Sequence, residues 1–236
     1  MIILILSMKN LVMLYGVRGV TLFTDQGLES YRKELGSDHP KTLSAMDSLS
    51  ALYHSQGKYD LAEPLYIQCL ESRRRVLGND HPDTLGTMNN LADLYHKQGQ
   101  YDLALPLYQE CLESYKRVLG NDHPDTLSAM NNLALLYKAQ GKYDLAEPLY
   151  KECLESRRRV LGNDHPDTIS TMNLLALLYK TQGKYDPAEP LYIQCLESRR
   201  RVLGNDHPDT LDTMNNLVDL YTAQEKYDFI ELLFDK

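Results

Sequence analysis

The chain has 236 residues, of which 43% are apolar, and its 33 acidic against 25 basic side chains leave a net charge of −8. That length and apolar content can bury the core of one or two ordinary domains. The acidic balance argues against a nucleic-acid partner, which selects for basic patches.

The first 38 residues are set apart from the rest. "MIILILSM" is similar to the apolar core of a signal peptide, but it lacks a basic leader and a small-residue cleavage site, and Lys9 interrupts the run. A bilayer needs about 20 apolar residues, so the run does not span one. Residues 1–38 are expected to be a degenerate repeat or a poorly defined apolar segment. A gene-start artefact and a weak anchor are the alternatives for the first 20. Within residues 1–38, "LESYRKELG" at 28–36 reads as the end of a second helix.

From there one motif recurs. "LGNDHPDTL" stands at 77–85, 119–127 and 203–211, with Ile169 as the single change at 161–169, and "LGSDHPKTL" is a looser copy at 35–43. His39, His81, His123, His165 and His207 are therefore spaced 42 residues apart. Periods of about 20–50 residues point to solenoids, propellers or arrays. The repeats run 39–80, 81–122, 123–164 and 165–206, with a partial one at 207–236. A histidine between two aspartates could hold a metal or move protons. Five copies of it read instead as punctuation between helices, with the histidine packed on or bonded to the adjoining turn.

Each repeat reads as two helices. In the copy at 122–163, Leu127, Met130, Leu133, Ala134 and Tyr137 form a helical stripe. Pro124 suits the first turn, Asp122 is the expected cap, and Asp125 complements the helix dipole. "QGKY" breaks the chain at Gly141. A second helix follows from about Tyr143 to Leu161, with the stripe Leu145, Ala146, Leu149, Tyr150, Cys153 and Leu154, and Gly162 ends it. Pro148, like Pro64, Pro106 and Pro190, falls just past the first turn and removes one backbone bond. Fourteen of the 17 tyrosines occupy three positions of the repeat, so their number reflects the period and not an aromatic binding surface.

Cys69, Cys111, Cys153 and Cys195 also lie 42 apart. Packed helices are about 8–10 Å apart, whereas a disulfide needs Cα atoms within about 7 Å. These cysteines are expected to be small buried residues at helix contacts, unpaired as in a reducing compartment, hence the cytosol. The triplets Arg73–Arg75, Arg157–Arg159 and Arg199–Arg201 are expected to be solvated, ion-paired surface.

The pattern "NNLALLYKAQGKYDLAEPLYKECLE" resembles the tetratricopeptide repeat. Leu133, Ala134, Tyr137, Gly141, Tyr143, Ala146 and Tyr150 follow in the family's order, with Cys153 where alanine is usual. The family's repeat is about 34 residues long. The 42-residue form here, longer in the second helix and its connection, is similar to the repeats of kinesin light chains and nephrocystin-type proteins. The coiled-coil segment of a kinesin light chain has no counterpart. The resemblance covers 39–236 well and 22–38 weakly. It implies an all-α fold, a right-handed α-solenoid of stacked antiparallel helix pairs, with a concave groove lined by the first helices. It also implies a role in holding peptide segments of partner proteins.

Beside the core stripe of the first helices runs a second stripe that varies between repeats. Its second row is Asp47, Asn89, Asn131, Asn173 and Asn215. An asparagine both donates and accepts, so a ladder of them suits an extended peptide backbone; equally, it can tie neighbouring helices together. Asn90, Asn132 and Asn216 lie next to it. The third row holds Asp93 and Asp219 at its flanks and Leu135 and Leu177 between, and the fourth is His54, His96, Lys138, Lys180 and Thr222. An apolar, basic centre would suit a peptide that combines a hydrophobic anchor with acidic residues.

The expected function is a non-catalytic, cytoplasmic scaffold or adaptor that binds a protein or peptide partner, without cofactor or metal. Two alternatives stand beside it: a fragment of a larger signalling or motor-adaptor protein whose array self-associates through its apolar ends, and an Asp/His metal-dependent enzyme. No P-loop, nucleophile motif or zinc-spaced Cys/His set supports the last.

Overall fold

The computed structural model describes residues 25–234, and the apolar start at 1–24 lies outside them. All regular structure among the described residues is helical. A helix α1 covers 25–35. The first helices of the repeats are α2 (Pro40–Ser55), α4 (Pro82–Lys97), α6 (Pro124–Ala139), α8 (Pro166–Thr181) and α10 (Pro208–Ala223). The second helices are α3 (Tyr59–Leu77), α5 (Tyr101–Leu119), α7 (Tyr143–Leu161), α9 (Tyr185–Leu203) and α11 (Tyr227–Phe234).

The chain divides into two compact units between Ser114 and Tyr115, inside α5. In the first unit α2 packs on α3 and α3 on α4. In the second, α6, α7, α8, α9 and α10 pack in succession and α11 lies against α10. Each unit is thus a stack of helix pairs, an α-solenoid, in which a second helix is shared by the first helices on either side.

The repeated motif sets these boundaries residue by residue. Gly78, Gly162 and Gly204 end their helices at φ of 92°, 86° and 91°, where a side chain would be strained. Proline at the first helical position makes the residue before it the cap, because proline pushes its predecessor into extended backbone. That residue is the histidine. His123 has φ −68° and ψ 140°, and its Nδ1 accepts the Asp125 N–H at 3.2 Å. His39, His81, His165 and His207 accept in the same way from Lys41, Asp83, Asp167 and Asp209. The expected cap Asp122 is therefore displaced, and its carboxylate instead pairs with Arg159. Thr126 Oγ1 closes the connection by donating to the Gly120 carbonyl at 2.8 Å, as Thr42 and Thr210 do to Gly36 and Gly204.

The turn within each repeat also needs a left-handed residue. Gly57, Gly99, Gly141 and Gly183 supply it at φ 71–73°, but Glu225 holds the position in the last repeat at φ 57°. The left-handed region costs a non-glycine residue about 1–2 kcal/mol, of which glycine's greater chain entropy returns a part. Glu225→Gly is expected to raise the stability of the α10–α11 turn by about 0.5–1 kcal/mol. Urea denaturation of the two forms checks this, and an unchanged or lower midpoint would show that the strain is not there.

The core follows the stripe with two corrections. Leu127, Met130, Leu133, Ala134, Ala146, Tyr150, Cys153 and Leu154 are buried, but Leu145 is 49% exposed. The helices meet at the neighbouring Ala146, whose small side chain lets them approach, and that turns Leu145 outward. Leu136, outside the expected stripe, is fully buried. A first helix is covered on two sides, so a single stripe understates its core.

Candidate functional site

The cysteines are buried at helix contacts. Cys153 Sγ is fully enclosed, 3.3 Å from the Leu127 carbonyl of the preceding helix, and Cys69 and Cys111 repeat that contact with Leu43 and Leu85 at 3.4 and 3.5 Å. Burial pushes the thiols up, to about 11 for Cys69 and about 12 for Cys111. Thiolate is the reactive form, so all four are expected to resist iodoacetamide at pH 8 in the folded chain and to react together in guanidinium. Fast labelling of any one of them in the native protein would contradict this.

The arginine triplets differ from the expected solvated surface. Arg73 and Arg157 are only 6% and 5% exposed. Arg157 donates to the Asp167 carbonyl at 2.9 Å and to Thr171 Oγ1 at 2.7 Å, which fixes α7 to α8. Arg73 does the same to Asp83 and Thr87, and Arg199 to Asp209 and Thr213. The second arginine of each triplet reaches the next second helix: Arg74 to Glu110, Arg158 to Gln194, and Arg200 to the Leu233 carbonyl. The third reaches back to an inter-repeat connection, Arg75 to Asp38, Arg159 to Asp122, Arg201 to Asp164. A buried guanidinium with carbonyl and hydroxyl acceptors is a cross-link. Only the third member is the exposed ion pair the sequence suggested.

Neighbouring first helices touch, α2 with α4 and α8 with α10. The row of asparagines sits at such seams. Asn131 is buried and its Nδ2 donates to Thr171 Oγ1 of α8 at 3.0 Å. Asp47 holds the equivalent link in the first unit, accepting from Thr87 Oγ1 of α4 at 2.9 Å. Burial raises the Asp47 carboxyl, against the opposing pull of Arg73 at 3.6 Å and of the Thr87 bond. Asn89, Asn90, Asn132 and Asn173 are half-buried, and Asn215 is exposed. Asn216 Nδ2 donates to the Asp212 carbonyl within its own helix.

The third and fourth rows differ between the units. In the first, Asp93 pairs with Lys97 at 3.0 Å and lies 3.6 Å from His54 Nε2. His96 is half-buried beside Tyr101, with ring centroids 5.8 Å apart. In the second unit, Lys180 of α8 reaches Asp219 of α10 at 2.8 Å and Asn216 Oδ1 at 3.3 Å. One repeat earlier the place of Asp219 is taken by Leu177. Lys138 is half-buried with no ion pair or hydrogen bond among the described residues, and desolvation lowers its ammonium below the ordinary lysine value. Leu135 and Leu177, on the same stripe, are also half-buried. Among the described residues no three of His, Cys, Asp and Glu are grouped to hold a metal ion, and no helix is long and apolar enough to cross a membrane.

The tetratricopeptide repeat family model matches residues 25–74, 49–117, 83–159, 125–200 and 182–236, which together span the described chain. The chain belongs to the tetratricopeptide repeat family. Among solved structures, BtubC (BKLC) from P. vanneervenii is similar at 24% identity over 93% of this chain and 88% of that one, with a TM-score of 0.80. Nearly identical TPR-like repeats ascribed to a kinesin light chain of Podosopora anserina align at 24% identity over 83% of this chain and 92% of theirs, with a TM-score of 0.72. MamA from Desulfovibrio magneticus is more distant, at 15% identity over 83% of this chain and 94% of that one, with a TM-score of 0.59. At these identities the likeness is one of fold. No curated protein matches the chain.

Proposed function

We propose that this tetratricopeptide repeat chain is a non-catalytic, cytosolic scaffold that binds peptide segments of partner proteins along its first helices. Lys138 carries the reading. A half-buried ammonium without a partner loses water and recovers nothing for it, whereas Lys180, one repeat on, is neutralised by Asp219. A carboxylate on a bound segment would supply what Leu177 cannot. The same leucine, with Leu135, offers an apolar seat beside it. The segment that fits therefore joins a hydrophobic side chain to an acidic one. Asn173 within this stripe, and Asn132 and Asn216 next to it, are candidate backbone contacts. In this reading Asn131 holds the helices that present the surface and Asn215 extends the row, while Asp47, Asn89 and Asn90 take the corresponding positions within the first unit.

A peptide-library selection tests the proposal, run on the purified chain and on Lys138→Ala and Lys138→Glu, with folding of each checked by circular dichroism. Acidic-apolar peptides enriched by the parent should bind the alanine variant roughly tenfold more weakly and the glutamate variant more weakly still; one charge-assisted hydrogen bond is worth about 1.5–3 kcal/mol. Equal enrichment on all three folded proteins would remove Lys138 from the site and the reading with it.

A further inference from the structure

The fourth row carries histidine in the first unit where the second carries lysine: His54 and His96 against Lys138 and Lys180. We propose that the first-helix face of the first unit is a proton-gated anion site, in which protonation of His54 and His96 lets the face take up a carboxylate that it does not hold while the imidazoles are neutral. The proposal is independent of the Lys138 reading, because its residues all lie on α2 and α4.

His54 is only 9% exposed, and its Nε2 has no hydrogen-bond partner among the described residues. The groups that face it are Tyr59 and Tyr66 of α3, edge-on at 5.7 and 6.2 Å, and Asp93 and Lys97 of α4. His96 faces Asp93 and Lys97 of its own helix and Tyr101 of α5, and Asp93 also acts on the buried Tyr108. Asp47 also lies on this face, 3.6 Å from Arg73 of α3 and acted on by Asp83 of α4. The carboxylates nearest the two imidazoles are thus already paired, Asp93 with Lys97 and Asp47 with Arg73. Each proton taken up by an imidazole adds a positive charge that these pairs do not offset. The protonated His54 Nε2–H has Asp93 Oδ2 before it at 3.6 Å, so Asp93 can turn from Lys97 to His54 and free the lysine ammonium. The acidified face then presents an unpaired cation, as Lys138 does in the second unit.

Burial is the first cause that holds both imidazoles below the ordinary histidine value, with Lys97 acting in the same direction and Asp93 against it. The sign follows from this. The unfolded chain binds these protons more readily than the folded one, so acidification through that range lowers stability. A bound anion favours the charged imidazoles and reverses part of the loss.

The test is calorimetric titration of the full chain with acetylated tri-glutamate, whose side chains stay largely ionised over the range, between pH 7.5 and 5.5. The affinity should rise as pH falls, by about tenfold for each unit over which one proton is taken up with the ligand. The double variant His54→Gln, His96→Gln should keep the neutral-pH affinity and lose the rise. His96→Lys, at the less buried position, should bind tightly already at pH 7.5. Circular dichroism at both pH values controls for folding. If the double variant does not fold, His96→Gln alone should still reduce the slope. A flat affinity in the parent overturns the proposal. So does a slope that survives in the glutamine variants, which would locate the protons elsewhere, or one that vanishes in Lys138→Ala, Lys180→Ala instead.

Discussion

Replacing Tyr150 by alanine is expected to destabilise the second unit by about 3–5 kcal/mol, the range for removing a large aromatic from a packed interior. Tyr150 is fully buried, as are its counterparts Tyr66, Tyr108 and Tyr192 within 1%. It stands on α7, a helix packed between α6 and α8, so its loss opens a void against both neighbours. In a stacked array stability is close to a sum of repeat and interface terms, and this substitution weakens one repeat and its interfaces together. The aromatic body, and not the hydroxyl, carries the effect. The Tyr150 hydroxyl is buried with no hydrogen-bond partner among the described residues, and burial pushes its ionisation far above the ordinary phenol value. Tyr150→Phe removes an unpaired polar atom and should be neutral or stabilising by up to about 1 kcal/mol. Guanidinium unfolding of the three forms decides it. A phenylalanine variant that falls as far as the alanine one would mean that the hydroxyl is engaged after all.

Arg157→Tyr should cost about 2–3 kcal/mol, because it leaves the Asp167 carbonyl and Thr171 hydroxyl without their charged donor. The chain itself suggests the compensating change. Where Arg73, Arg157 and Arg199 have Thr87, Thr171 and Thr213 as partners, the equivalent repeat carries Tyr115, and its following first helix carries Ala129 in place of threonine. Both Tyr115 and Ala129 are buried. A large aromatic and a methyl side chain thus replace a guanidinium and a hydroxyl as a pair. The double variant Arg157→Tyr, Thr171→Ala should therefore be less destabilised than the two single variants summed, with a coupling of about 1–2 kcal/mol measured by a double-mutant cycle. Strict additivity would show that the two repeat types differ for separate reasons. Thr171 also accepts from Asn131, so the cycle reports at the same time how far the asparagine row depends on this seam.

The fold was legible because its determinants are local and recur. A proline that makes its predecessor a cap, a glycine that alone adopts positive φ, and an apolar stripe at helical spacing act within a few residues, and the chain states them several times over. The predicted second helix at Tyr143–Leu161 coincides with α7. The same locality explains the small errors. Residue type favours Asp122 as the cap, and only the geometry imposed by Pro124 selects His123 instead. Leu145 and Ala146 both fit one helical stripe, and only the closeness of the neighbouring helix turns the leucine out.

The candidate surface was legible as a set of positions but not as a set of roles. Periodicity placed Asn131, Lys138 and Lys180 on the first helices, and it could not separate them. What separates them lies about one repeat away on the neighbouring helix: Thr171 for Asn131, Asp219 for Lys180, and Leu177, which pairs with nothing, for Lys138. The arginine triplets behave alike, since three consecutive side chains point about 100° apart and meet a first helix, a second helix and a connection in turn. By itself the sequence determined the period, the two helices of each repeat and the turns between them, because those depend on backbone geometry within a few residues. Only the tertiary structure decided which polar groups are consumed in holding the stack and which are not, because that depends on side chains brought together by packing from some 40 residues apart.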